Sequence, residues 1–208
     1  IGVFVAVFVS KIAPVKVAAL VRNMINLLAG IPSVVYGLLG AILIVPFLFR
    51  IQEFFKLPAS GSLAAAILVL VIMILPTIIS VSEAAIRAVP SQYYEASLAL
   101  GASKMQSLFR AVVPAARSGI IAGIVLGTGR AIGEAMAVMM VAGNAPVMPE
   151  MLKPVRLLTT SIPIEWAYSS GTHREALYGI GLVLFVFIMA INIFLHALLK
   201  RGGVELDK

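Results

Sequence analysis

Residues 63–82 read LAAAILVLVIMILPTIISVS, a run of twenty residues that contains no charged side chain. An α-helix of this length rises about 30 Å, which is the thickness of the hydrocarbon core of a bilayer. Of the 208 residues in the chain, 61% are apolar and 12% are charged. In soluble domains, about 45–50% of the residues are apolar and about 25% are charged. The composition therefore predicts an all-α integral membrane protein and argues against a soluble enzyme.

The net charge of +7 comes from 16 Lys and Arg residues against 9 Asp and Glu residues. These basic residues fall between apolar runs rather than in one patch, so we interpret them as topology signals and expect no nucleic-acid partner. The chain has no cysteine, which excludes disulfides, thiol catalysis and cysteine-based metal sites.

Further apolar stretches lie on both sides of residues 63–82. We predict a single transmembrane domain over 1–208, with spans near 27–49, 63–82, 118–147 and 176–199 and a partial span at 1–10. If 83–117 is the inner loop, then 10–26 and 200–208 are also inside, and the inner segments hold ten of the sixteen basic residues. The outer segments, 50–62 and 148–175, hold five, which agrees with the positive-inside rule.

The inner loop has the signals of two short helices joined by a turn. Ser91 is a candidate N-cap, Gly101 suits a left-handed turn, and Ser103 with Gln106 fits a capping box for the second helix. Apolar residues then fall on one side of the pair. Taken alone, this pattern is typical of an amphipathic connector that lies on lipid headgroups.

The same loop resembles the EAA loop of ABC importer permeases. Glu95-Ala96-Ser97 is followed after three residues by Gly101 and after nine more by Ala111-Val112-Val113-Pro114. The chain departs from the family pattern at Ser97, Ala111 and Val113, where small or apolar character is kept. In that family the loop docks into a groove on the ATP-hydrolysing subunit. The resemblance therefore implies an ATPase-coupling role for Glu95, Ala96, Gly101 and Pro114.

Two other stretches, LAGIPSVVYGL at 28–38 and GRAIGEAMAV at 129–138, are similar to the phosphate-specific permeases of bacteria. Gly143-Asn144, SGTHR at 170–174 and Ala176-Leu177 resemble the PstC type more than its PstA-type sister. The resemblance implies the helix bundle of a type I ABC importer permease, multi-pass in the bacterial cytoplasmic (inner) membrane. The usual subunit has six spans, so we expect the first transmembrane helix to be missing from this chain.

The resemblance also implies the partners. These are a homologous permease subunit, an ATP-binding cassette ATPase dimer and an extracytoplasmic phosphate-binding protein, in contact with membrane lipid. No G-x-x-x-x-G-K-[ST] motif occurs, so ATP and Mg²⁺ are expected in the partner ATPase and no cofactor is expected on this chain.

Two charged residues interrupt the apolar run 118–147. Arg130 lies twelve residues into it, at a depth of about 18 Å, and Glu134 follows one helical turn later on the same face. The planar donor fork of arginine suits phosphate oxygens, and Glu134 can neutralise Arg130 or accept a proton from phosphate. The resemblance also places this motif along the substrate pathway. The alternative is a structural ion pair that locks two helices together.

Two other function classes remain open. One is an importer of another oxyanion, such as sulfate or molybdate, with the same inner loop. The other is an intramembrane enzyme that uses Glu134 as acid or base, although the chain has no H-E-x-x-H or G-x-S-x-G motif.

Two structural features are expected besides these sites. The outer segment 148–175 contains Trp166 and Tyr168, which favour the membrane interface, so it is either a re-entrant or interfacial segment or an ordinary loop. Gly119, Gly123 and Gly127 are spaced by four and predict close helix packing.

Overall fold

The computed structural model describes residues 1–57 and 60–201, and these residues are almost entirely helical. No strand occurs within those two ranges, and the only extended pairing there is an isolated bridge between Gly143 and Val155. The predicted all-α fold is confirmed. Of the predicted inner segment 200–208, residues 202–208 lie outside the described residues.

Twelve α-helices are described, joined in places by π-helical turns and one 3₁₀ turn. The helices are α1 Gly2–Val7, α2 Val15–Ala29, α3 Ser33–Leu39, α4 Val45–Phe54, α5 Leu63–Ala88, α6 Ser91–Ala99, α7 Lys104–Ser107, α8 Val113–Ala115, α9 Arg117–Ile132, α10 Met136–Val141, α11 Leu158–Glu165 and α12 Gly171–Arg201. The π-helical turns are Phe8–Ile12, Gly40–Ile44 and Leu108–Val112, and the 3₁₀ turn is Trp166–Tyr168.

Three described helical stretches are long and apolar enough to cross a bilayer. They are Ser33–Phe54 with 22 residues, Leu63–Ala88 with 26 and Gly171–Leu195 with 25. A fourth candidate is the pair Lys104–Ala115 and Arg117–Ile132, which is bent by 66° at its break.

The predicted span 27–49 is displaced in the structure. Helix α2 ends at Ala29, and the next helix begins only at Ser33, after Pro32. Proline has no N–H to donate and disfavours the helical region for the preceding residue, and Pro32 itself has the extended ψ of 144°, so the helix breaks at this point. The helical span therefore begins at Ser33 and runs on through Arg50 to Phe54.

The stretch predicted as a span at 118–147 contains two helices, because α9 ends at Ile132 and α10 covers Met136–Val141. The span at 63–82 begins where predicted but continues to Ala88, and the last span begins at Gly171 rather than near 176. Hydropathy identifies the apolar stretch that is stable in lipid. The helix itself can extend beyond that stretch, through polar residues whose side chains pair one turn apart.

The contacts divide the chain into two compact units. The first unit comprises Ile1–Gly30, Ile74–Gly129 and the residues from Ile193 onward. Its core contains nine buried apolar residues: Ala6, Val7, Ile25, Ile79, Ile86, Leu108, Val112, Ala116 and Ile120. The predicted packing role of the glycines in α9 is confirmed here, since a Cβ on Gly127 would lie 2.6 Å from Cγ1 of Ile78 in α5.

The second unit comprises Ile31–Met73 and Arg130–Asn192. Its outer segment supplies carbonyl groups to the beginning of α5, where backbone N–H groups have no partner inside the helix. Leu63 N–H donates to the carbonyl of Lys153 at 3.1 Å, and Ala64 N–H donates to that of Met151 at 2.8 Å. Residues 151–153 therefore cap this helix, so part of the outer segment is ordered against the helix end.

Candidate functional site

The predicted turn of the inner loop is present. Gly101 has φ +88°, in the left-handed region that favours glycine, and its N–H donates to the carbonyl of Leu98 at 2.9 Å. The capping box is confirmed as well. Gln106 N–H donates to Ser103 Oγ at 3.3 Å, and Ser103 N–H donates to Gln106 Oε1 at 2.9 Å. The loop is thus a helix pair with a defined geometry rather than a flexible linker.

The beginning of the first loop helix differs from the prediction. Pro90, not Ser91, is the N-cap of α6, and no side chain caps this end. Proline at this position has the extended conformation that a cap needs, with φ −56° and ψ 139°, so Ser91 becomes the first helical residue.

No residue of helix α6 is buried, but Tyr94, Ser97 and Leu98 are half-buried, and Tyr94 packs against the core of the first unit. Glu95 and Ala96 are both exposed, and Leu100 just beyond the helix is 90% exposed. The predicted apolar face of this helix, with Ala96 and Leu100, is therefore free in the described part of the chain, whereas the side with Tyr94 packs on the core.

The second half of the loop is anchored. Leu108 and Val112, in the π-helical turn, belong to the core of the first unit and are 3% and 1% exposed. Helix α6 contacts this turn directly. Pro114 follows in α8, just before the chain bends by 66° into α9. Helix α6 is therefore connected, through a turn with buried Leu108 and Val112, to α9, the second half of the fourth candidate span.

A buried carboxylate at the end of α5 was not predicted as a functional residue. Glu83 is 6% exposed, and its Oε1 accepts hydrogen bonds from Arg22 Nη2 at 2.6 Å and Arg22 Nε at 3.0 Å. Arg87 Nη1 lies 3.7 Å from the same oxygen. The hydrogen bond with Glu83 raises the pKa of Arg22 above its ordinary value. The spacing of Glu83 and Arg87 was the one signal in the sequence, since Arg22 lies 61 residues away.

Arg130 lies in the last turn of α9 and is half-buried. Within the described ranges, no carboxylate approaches its guanidinium within the 4 Å of an ion pair. The phenol of Tyr36, in α3, is close enough to interact electrostatically with the charge of Arg130. Arg130 therefore has no acidic partner among the described residues.

Glu134 does not share a helical face with Arg130, contrary to the prediction. Helix α9 ends at Ile132, and Glu134 Oε1 accepts a hydrogen bond from the N–H of Ala137 at 3.0 Å, in the first turn of α10. Gly133 favours the break because glycine loses much backbone freedom in a helix, and the new helix start needs an acceptor. The structural ion pair between Arg130 and Glu134, which was the alternative interpretation, is absent from the described residues.

The two stretches that resemble phosphate permeases pack against each other. Helix α3, from the first stretch, contacts α10, which begins in the second. The closest approach is at Gly37, where an added Cβ would lie 2.8 Å from the Cα of Ala137. Ala137, whose N–H donates to Glu134, is thus also the residue on which Gly37 of α3 packs.

The outer segment forms a polar cluster rather than an irregular loop. Glu165 at the end of α11 pairs with Arg156 through Oε1 and with His173 Nε2 through Oε2, the latter at 2.7 Å. The hydrogen bond with His173 is the main cause that lowers the pKa of Glu165, with Arg156 adding to it against the effect of burial. Arg174 stacks over Trp166, whose ring also meets Tyr178 edge-on. No three His, Asp or Glu residues within 1–57 and 60–201 are placed to hold a metal ion.

Comparison with known proteins identifies similar sequences over nearly the whole chain. A family model described as "Binding-protein-dependent transport system inner membrane component" matches residues 1–201. A probable ABC transporter permease of Bacillus subtilis, YqgH, is 40% identical over 98% of this chain and 66% of its own length. The phosphate transport system permease proteins PstC of Xylella fastidiosa (strain Temecula1) and Pasteurella multocida are 34% and 35% identical over 95% of this chain. The chain spans 66–67% of the length of these relatives.

Solved structures share the fold. An inward-facing form of the MetNI methionine ABC transporter aligns over 97% of this chain and 86% of the matched chain, with a TM-score of 0.71 and 21% identity. An amino acid ABC transporter solved with histidines aligns over 96% of this chain and 85% of the matched chain, with a TM-score of 0.57 and 19% identity.

Proposed function

The chain belongs to the family of binding-protein-dependent transport system inner membrane components, and we propose that it is the membrane-spanning permease subunit of an ATP-driven importer of inorganic phosphate. The names of the PstC relatives, at 31–36% identity, support phosphate as the substrate. The apolar helical spans support a multi-pass location in the bacterial cytoplasmic membrane.

The observation that carries the proposal is the contrast within the inner loop. Glu95 and Ala96 of helix α6 are exposed, whereas Leu108 and Val112, in the turn that follows the second helix, are buried in the core. The capped helix pair is stiff, so a partner that moves α6 also moves α8 and α9. An ATP-binding cassette ATPase dimer that binds and hydrolyses ATP with Mg²⁺ is the expected partner at this surface.

The transport step then follows from coupled motion. When the ATPase subunits close on ATP, they push the inner loops of this chain and of a homologous permease subunit. The pore between the two permeases changes from inward-facing to outward-facing, and an extracytoplasmic phosphate-binding protein delivers its ion from outside. This chain itself performs no chemical reaction.

Arg130 and Glu134 are proposed to act along the pathway in different ways. Arg130 presents a planar donor fork to phosphate oxygens, and it guides the ion without trapping it because conduction needs weak sites. Glu134 fixes the start of α10 through its Oε1, while its second oxygen can accept a hydrogen bond from the P–OH group of a monoprotonated phosphate.

The test is uptake by proteoliposomes that contain the full-length subunit, the homologous permease, the ATPase and the binding protein. We expect uptake of phosphate that requires ATP and is not matched by sulfate or molybdate at equal concentration. Uptake of sulfate or molybdate in place of phosphate would show that phosphate is not the substrate. The subunit would still be part of an importer. Turnover of a substrate by the purified subunit alone would favour an intramembrane enzyme instead.

A further inference from the structure

A cavity of about 420 Å³ opens beside the inner loop, within the first unit. Three separate elements form it: the π-helical turn after α1, helix α6, and the second loop helix with the turn that follows it. Its lining consists of two lysines, one tyrosine and three apolar residues: Lys11, Lys104, Tyr94, Ile12, Met105 and Leu108.

The charged residues that line this cavity are all positive. None of its six lining side chains is acidic, and neither Lys11 nor Lys104 has a carboxylate within 4 Å among residues 1–57 and 60–201. Both lysines are exposed, whereas Tyr94 is half-buried. Lys104 is the first residue of the helix that the capping box of Ser103 fixes in place. The cavity therefore presents two cations from segments far apart in the sequence.

The other half of the cavity is apolar. Leu108 is 3% exposed and forms a fixed floor, while Ile12 and Met105 are 42% and 52% exposed at the rim. Phe8 and Phe109, on the same two turns, are each 41% exposed as well. A ligand that fits this arrangement carries a compact anion joined to a hydrocarbon body, because lysine ammonium groups bind phosphate as point charges and the rim offers an apolar surface.

We propose that this cavity binds the phosphate-containing headgroup of an anionic phospholipid from the inner leaflet, with an acyl chain along the apolar rim. The proposal rests on the membrane topology proposed above, in which Lys11 and the loop lie on the inner side. It does not depend on phosphate as the transported ion. The inner leaflet carries anionic lipids, and basic pockets between membrane helices on the cytoplasmic side bind their headgroups. A lipid held here touches the loop helix through Tyr94 and Lys104, so it steadies the segment that transmits force.

The test is native mass spectrometry of the full-length subunit in detergent, titrated separately with phosphatidylglycerol, phosphatidylcholine and inorganic phosphate. Each lysine near the headgroup contributes about fivefold to the affinity, so the variant with Lys11→Gln and Lys104→Gln is expected to bind phosphatidylglycerol roughly 25-fold more weakly. The variant with Lys11→Arg and Lys104→Arg keeps both charges and is expected to bind within a few-fold of the parent.

Lys16→Gln is the matched control, because Lys16 is an exposed lysine on the same predicted side but does not line the cavity. This control is compared with the single variants Lys11→Gln and Lys104→Gln, which remove the same amount of charge. Equal losses in all three would overturn the proposal, since binding would then reflect net charge alone. Equal affinity for phosphatidylcholine, or displacement of the lipid by millimolar inorganic phosphate, would also overturn it. A subunit that binds phosphatidylglycerol through these lysines but transports no phosphate would refute only the transport proposal.

Discussion

At the scale of single residues, Arg130 differs from the other buried or half-buried cations of the chain. Arg22 and Arg156 each meet a carboxylate, Glu83 and Glu165 respectively, whereas Arg130 has none within ion-pair distance in the described ranges. A charge inside an apolar helix costs about 2.5–3.5 kcal/mol on insertion scales, and such residues mark ion pathways. The lack of an acidic partner among the described residues is consistent with a transient anionic ligand.

The first prediction concerns this residue. Arg130→Gln keeps hydrogen-bonding capacity but removes the charge, so we expect phosphate uptake to fall at least tenfold while assembly with the ATPase is unchanged. Arg130→Lys keeps the charge but lacks the planar donor fork of arginine, so its phosphate uptake should be intermediate. Arg50→Gln, at an exposed position near the end of α4, is the control and should transport normally. Normal phosphate uptake by Arg130→Gln would remove Arg130 from the pathway.

The second prediction concerns the pH dependence of the outer cluster. The pKa of Glu165 is lowered from an ordinary value near 4.5, mainly by His173. A carboxylate with a lowered pKa stabilises the fold above the ordinary value, and this contribution is lost as the pH falls through the lowered folded value. Trp166, the single tryptophan, packs beside the cluster, so its fluorescence should stay constant from neutral pH to about 4.5 and change only below it.

In His173→Ala the main cause of the lowered pKa is gone, so the fluorescence change should begin at a higher pH than in the parent. Glu150→Gln removes a carboxylate that pairs with Lys153 in the same outer segment, and it should leave the profile unchanged. If His173→Ala and the parent have superimposable profiles, Glu165 does not control the acid transition.

At the scale of elements, the inner loop combines helix α6, whose Glu95 and Ala96 are exposed, with a turn whose Leu108 and Val112 are buried in the core. The third prediction uses Ala96, which is exposed on α6 and free to carry a larger side chain. Ala96→Trp should leave the melting temperature within a few degrees of the parent and weaken binding of the ATPase at least tenfold, measured by co-purification across a salt series. Thr172→Trp, at an exposed position at the start of α12, should affect neither quantity. ATPase binding of parental strength in Ala96→Trp would place the docking surface elsewhere.

The fourth prediction concerns the contact between α3 and α10. Gly37→Ala puts a methyl group 2.8 Å from the backbone of Ala137, so one helix must shift. Overpacking of this kind costs about 1–3 kcal/mol, and thermal unfolding of the detergent-solubilised chain should show it. Gly179→Ala is the matched control, because no atom lies within 4 Å of the added Cβ. It should be neutral or stabilising by about 0.5–1 kcal/mol. A loss of stability that is equal in both variants would contradict the close packing of α3 on α10.

The elements that could be predicted from the sequence are those that depend on interactions between residues close together in the chain. The long apolar helices, the left-handed turn at Gly101 and the capping box at Ser103 follow from nearest-neighbour chemistry, and each is present. The break after Ile132 was not predicted because hydropathy does not indicate where a helix ends within an apolar stretch, although Gly133 lies at the break. The pair of Arg22 with Glu83 depends on tertiary packing across 61 residues, so no local pattern could have indicated it.

At the scale of the whole molecule, the described helices keep a large apolar surface. Only 6% of the apolar window in Gly171–Leu195 is buried within the chain, and its large residues, such as Phe185 and Phe187, are more than half exposed. A soluble protein rarely exposes such a surface, whereas lipid or a homologous permease subunit would cover it. The chain is therefore expected to work as one part of a membrane assembly.

The most direct measurement is phosphate uptake by vesicles assembled with and without this chain, in its full-length form, beside the homologous permease, the ATPase and the binding protein. With ATP available to the ATPase, the complete vesicles should accumulate labelled phosphate, and those that lack the chain should not. Equal phosphate accumulation with and without the chain, or accumulation that needs no ATP, would contradict its role as a permease subunit of an ATP-driven phosphate importer.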